Sequence, residues 1–157
     1  TPTPVFKGVE GKRFAAHFAE VEVDTWTGHV KITRYVAAHD SGTILNRLPA
    51  ESQIKGGVVQ GIGMALTEEL LIDRPTAIPL NPSYRDAKVP THLEVSEVEV
   101  IFIERYDPYG PFGGKVIGEP PITPAVATVA NAIFNATGRR FKELPITPDK
   151  ILRAVRV

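Results

Sequence analysis

Two stretches of this 157-residue chain carry residue types at spacings that could do chemistry. In the first, Gln53 and Gln60 stand seven residues apart, with Gly56, Gly57, Gly61 and Gly63 among and just after them. On a helix seven residues return to nearly the same face, so the two amides would flank a strip of bare backbone. An amide offers donors and an acceptor, which suits hydrogen bonding to a polar heterocycle. The same glycines would equally let a second protein element pack closely, with the amides left in water. In the second stretch, Gly113-Gly-Lys-Val-Ile-Gly-Glu-Pro-Pro121, one carboxylate, Glu119, is locked between Gly118 and a diproline. Stiff flanks fix its direction, and a carboxylate buried in this manner is a candidate general base. A surface acid near the positive end of a following helix would give the same pattern.

Other constellations are weaker. His17, His29, His39 and His92 fall at no metal-ligand spacing. His39-Asp40-Ser41 contains the residue types of a hydrolase triad, but consecutive residues in a turn rarely point at one another, so Asp40 and Ser41 read better as a turn cap. Gly61-Ile-Gly63 lacks the third glycine of a dinucleotide fingerprint, and Gly113-Gly-Lys115 lacks the hydroxyl residue of a phosphate loop.

The elements that must position these residues follow from periodicity. Alternation from Arg13 to Asp24 and again from His29 to Ala38, around a turn at Gly28, predicts an antiparallel hairpin. Residues 49–72 lack proline after the first position and repeat apolar residues at three- and four-residue steps, which predicts a long glycine-rich helix. Prolines at 75, 79, 82 and 90 make the next stretch irregular. Alternation over 94–104 predicts a third strand, and 107–121 a loop. Thr123-Pro124 opens a helix that Gly138 stops, and Thr147-Pro148-Asp149 opens a shorter one. The expected fold class is α+β, with antiparallel strands, the long helix and two further helices.

Composition bounds what such a chain does. Hydrophobic residues at 43% and charged residues at 23% describe an ordinary globular domain. Residues 1–12, with Thr-Pro-Thr-Pro at the front, read as a linker or cut end, and 13–157 as one domain. Eighteen basic and eighteen acidic residues cancel, which argues against nucleic acid as a partner. The absence of cysteine removes disulfides, thiolate zinc, iron–sulfur ligation and a thiol nucleophile. No apolar run is long enough to span a membrane and no leader is visible, so cytoplasmic assembly is the expectation.

In order along the chain, Ala19-Glu-Val-Glu-Val-Asp24, Asp40-Ser-Gly42, Leu45-Asn46, Gln53-Ile-Lys-Gly-Gly-Val-Val-Gln-Gly-Ile-Gly63, Leu66-Thr-Glu-Glu69, Gly114-Lys-Val-Ile-Gly-Glu-Pro-Pro121, Ala136-Thr-Gly138 and Leu144-Pro-Ile-Thr-Pro148 resemble the C-terminal part of the molybdenum-binding subunit of the xanthine dehydrogenase and aldehyde oxidase family. The resemblance implies the second molybdopterin-binding domain type. It implies a molybdenum hydroxylase that oxidises a heteroaromatic ring or an aldehyde carbon, with water as the oxygen source. In the family motif Gly-x-Glu the glutamate is the catalytic base, which falls on Glu119. Gln53 falls on the pterin-contacting glutamine, the backbone of Gly56, Gly57, Gln60 and Gly61 lies beside the cofactor, and Lys115 and Gly118 occupy the loop near the metal. The base would take the proton of the attacking oxygen while hydride leaves the substrate for the cofactor.

The implied cofactor is molybdenum-molybdopterin, often a cytosine dinucleotide in bacteria, and no residue of this chain is expected as a metal ligand. The implied partners are the remaining domain of the molybdenum subunit, an iron–sulfur subunit and a flavin subunit carrying FAD, since a chain without cysteine cannot pass electrons onward through its own clusters. A reading of another class is a degenerate, non-catalytic family domain kept for subunit assembly or partner binding.

Overall fold

A computed structural model describes residues 13–155. The linker or cut end read over 1–12 lies outside the described residues. The hairpin forms as its alternation predicts: β1 (Phe14–Val23) pairs antiparallel with β2 (Val30–Asp40), with a register shift between Glu20 and Val21. The third strand, β3 (Val98–Phe102), is shorter than its alternating stretch and pairs parallel to β2, not antiparallel. The reason is topological. A strand that follows a helical crossover can return in the same direction, and the chain between β2 and β3 contains α1 (Arg47–Leu66). The sheet is therefore mixed, in the order β1-β2-β3.

Helix α1 starts two residues before Pro49 and ends six residues before Ile72. Its last turn closes with the Thr67 and Glu68 N–H groups both donating to the Gly63 carbonyl, and the Thr67 hydroxyl reaches the Lys88 carbonyl at 2.8 Å. Beyond it the chain makes a two-residue ladder, Ile72–Asp73 against Ile78–Pro79, in otherwise irregular structure. Helix α2 (Ala125–Thr137) ends at Gly138, whose φ of 68° is the left-handed cap that glycine adopts without strain. Helix α3 (Pro148–Val155) opens with proline in its first turn.

Helices α1 and α2 pack together on one face of the sheet, α2 lying against β1. Ile54, Val58, Ile62 and Ala65 of α1, Val129 and Ile133 of α2, and Ile32, Tyr35 and Ala37 of β2 are buried together, closed at one end by Ile146 and Ile151. Burying each isoleucine or valine among them stabilises the fold by about 1.5–3 kcal/mol, so α1 is held by packing, not by helix propensity. The opposite sheet face leaves Phe14 and Phe18 exposed.

Candidate functional site

The glycines of α1 divide by face. Gly57 and Gly61 are buried, and a Cβ on either would run into Pro121 or Ala125, at 2.7 Å from the Pro121 Cβ in the first case. The space they clear is filled by protein, the entry to α2. Gly56 has nothing within 4 Å of where its Cβ would stand, and it shares the exposed face of α1 with Gln53 and Gln60. That face keeps the bare backbone and amides that the spacing predicts.

Residues 113–118 form a strap across the end of the sheet. Gly42 and Gly114 make an antiparallel bridge, the Thr43 N–H donates to the Gly113 carbonyl at 2.8 Å, and the Lys115 N–H donates to the Ser41 carbonyl at 2.8 Å. Gly42 has φ of +72° and sits against Gly113, so no larger residue fits there. The Lys115 ammonium donates to Asp40 Oδ2 at 2.8 Å, and both side chains are about nine-tenths or more buried, at 10% and 6% exposed. Burial pushes the Asp40 carboxyl up, but the Lys115 ammonium and the Gly42 N–H outweigh it and hold the group below the ordinary carboxylate range. Downstream, the Gln53 amide nitrogen donates to the Gly118 carbonyl oxygen at 2.7 Å.

Between α1 and the strap lies a cavity of about 670 Å3, walled by Asn46, Gln53, Thr43, Tyr109, Lys115 and Gly118 among others. Its size is that of a small-molecule site. Glu119 does not line it. The carboxylate borders a smaller adjoining cavity of about 460 Å3, beside Thr123 and Pro124, and the two cavities share Arg13 and Val116. Contrary to its sequence reading as a buried acid, Glu119 is exposed, because no described residue covers its side. The fold thus brings Gln53, Lys115 and Gly118 to one cavity and Glu119 to its neighbour. Gly57 and Gly61 form the seam behind, and Gly56 and Gln60 remain on the open helix face.

Two features were not singled out from sequence. Asp40, read as a turn cap, does accept the Gly42 N–H at 3.2 Å but is also the buried partner of Lys115. His17 and His39 share a hydrogen bond between their Nε2 atoms at 2.7 Å, and His17 Nδ1 meets the Tyr35 hydroxyl at 2.8 Å. Hairpin register carries the signal, since Ala15 faces His39 and His17 faces Ala37, placing the two histidines diagonally on one face. Burial, then the adjacent His39, pushes His17 down to about 4; burial lowers His39, and burial pushes Tyr35 up to about 12. With His39 turned to His17 and Asp40 to Lys115, no hydrolase triad assembles from residues 39–41.

The polar groups around the larger cavity are amides, hydroxyls, main chain and the charged Arg13, Lys115 and Asp107, and no cluster of three or more histidine, aspartate, glutamate or cysteine side chains that could hold a metal ion occurs among the described residues. This set fits an organic cofactor carrying its own metal. No described helix is long and apolar enough to cross a membrane.

Comparison with known proteins agrees with that donor set. The profile of the molybdopterin cofactor-binding domain matches residues 6–96. The chain is 41% identical over 138 residues to a xanthine dehydrogenase molybdenum-binding subunit of Escherichia coli, a match covering 88% of this chain and 18% of the relative. It is 40% identical over 147 residues to the aldehyde oxidoreductase molybdenum-binding subunit PaoC of Escherichia coli, covering 93% of this chain and 20% of that one. The aldehyde oxidoreductase structure from Desulfovibrio gigas superposes with a TM-score of 0.83 at 33% identity, over 92% of this chain and 16% of that one. The chain therefore spans about a fifth of the relatives it matches, and it belongs to the family of molybdopterin cofactor-binding domains found in the molybdenum-binding subunits of molybdenum hydroxylases.

Proposed function

We propose that this chain is the C-terminal domain, residues 13–157, of a molybdenum hydroxylase subunit, and that it supplies the catalytic base and part of the pterin site. The observation that carries the reading is the Gln53 to Gly118 hydrogen bond, which ties the amide-bearing face of α1 to the peptide just before Glu119. Gln53, Gly56, Gln60 and the main chain of Lys115 and Gly118 would hold the pterin through hydrogen bonds and close backbone approach. When bound, the cofactor supplies the acceptor for the two electrons of the oxidation.

Glu119 accepts the proton of the attacking, water-derived oxygen as that oxygen bonds to the substrate carbon. The diproline after it and the tethered peptide before it limit the arc through which its carboxylate swings, and a base held within reach is worth about 10²–10⁴-fold in rate. The exposed side of Glu119 is where the rest of the subunit would close the site and exclude water. Substrates of the class implied are heteroaromatic rings or aldehydes. Electrons leave through iron–sulfur and flavin chains, because this chain has no cysteine.

The reading is tested by elemental and pterin analysis of the full-length subunit purified with its natural partners. Molybdenum and a pterin in the assembled complex support it. A complete, folded complex with neither would instead assign the domain to assembly alone.

A further inference from the structure

We propose that Asp40 is a positioning residue for Glu119, acting through Lys115; this rests on the reading of Glu119 as the base. Asp40 is the last residue of β2, and Lys115 stands four residues before Glu119 on the strap. Main-chain bonds already hold the strap to residues 41–43, from Lys115 N–H to the Ser41 carbonyl and from Thr43 N–H to the Gly113 carbonyl. The strap therefore does not need two ions out of water in order to stay attached. A buried pair contributes little net stability after desolvation, and its best-attested use is to fix one arrangement among several. Here it fixes which strap residue faces the sheet end.

The geometry is that of a lever with three stops. Lys115 is pinned to Asp40 at 2.8 Å, Gly118 is pinned to Gln53 at 2.7 Å, and Pro121 is seated against Gly57. Glu119 lies between the second and third. The first sets the register of the strap, since a slip by one residue would take Lys115 from Asp40 and carry the Gly118 carbonyl away from the Gln53 amide. The Lys115 ammonium and the Gly42 N–H hold the Asp40 carboxyl below the ordinary carboxylate range, so Asp40 stays ionised at neutral pH.

The test uses the full-length subunit assembled with its partners, comparing Asp40→Asn, Lys115→Gln, the double variant, Lys115→Arg and Glu119→Gln. The expected result is that each single neutralisation lowers kcat by about tenfold to a hundredfold with KM and molybdenum content unchanged. Hydrogen exchange should quicken at the amides of residues 115–119. The double variant, which leaves no lone buried charge and so guards against misfolding, should lose no more than either single one, and Lys115→Arg should recover most of the rate. The proposal is overturned if Asp40→Asn and the double variant keep kcat within twofold of the parent while Glu119→Gln abolishes turnover. It is also overturned if the losses multiply in the double variant, or if they follow the molybdenum content. Full turnover by Glu119→Gln would overturn both this proposal and the role of the base beneath it.

Discussion

The side-chain amide of Gln53 donates to the carbonyl oxygen of Gly118 at 2.7 Å across 65 residues of chain, fixing the peptide before Glu119 to helix α1. The bond is solvent-accessible, so its net worth to folding is about 0.5–1.5 kcal/mol. Its worth to a reaction that depends on the angle of one carboxylate is greater. Gln53→Leu should therefore shift the melting temperature of the assembled enzyme little while lowering kcat by about tenfold to a hundredfold. A large loss of thermal stability with kcat intact would assign the contact to folding alone.

The two kinds of glycine on α1 should respond oppositely to alanine. At Gly57 the new Cβ would stand 2.7 Å from that of Pro121, and at Gly61 it would meet the Ala125 side chain. Each change should cost about 1–3 kcal/mol in chemical denaturation, the range of overpacked cores. Gly56 has open space around it, so Gly56→Ala should gain up to about 1 kcal/mol from helix propensity while reducing molybdenum loading. A stabilised Gly61→Ala would show that α1 and α2 are not spaced by these glycines.

The network of half-buried His17 with buried His39 and Tyr35 gives the fold an acid sensitivity of definite sign. In the folded chain His17 takes a proton only near pH 4 and His39 is also lowered, whereas an unfolded histidine protonates near ~6.5. Below that value the unfolded state binds more protons, so the contribution is full above about pH 6.5 and is lost as the pH falls toward 4. Denaturation midpoints taken between pH 7 and pH 4 should decline, and His17→Gln should flatten the decline. An unchanged slope in that variant would remove the network as its source.

Much of this architecture was legible because it is local. Alternating residues gave the hairpin, three- and four-residue steps gave α1, and Thr-Pro or Pro at helix starts with Gly138 at a helix end gave α2 and α3. What escaped depends on pairing at a distance. The parallel return of β3 follows from the crossover through α1, which no alternation encodes. The end of α1 at Leu66 is set by Thr67 reaching Lys88, twenty-one residues on. In the site, the spacing of Gln53, Gly56 and Gln60 correctly described one exposed helix face, yet it could not tell which glycines meet protein. Gly57 and Gly61 do so because the entry to α2 lies on their side of the helix. Asp40 read as a cap because its ion pair with Lys115 spans 75 residues.

The central claim is that Glu119 is the base of a reaction completed by a bound cofactor and the rest of the subunit. The most direct measurement is steady-state turnover of Glu119→Gln in the assembled complex, alongside its molybdenum content and circular dichroism. The account predicts unchanged molybdenum and fold with kcat lower by about 10²–10⁴-fold. Turnover equal to that of the parent, at equal molybdenum, would contradict it.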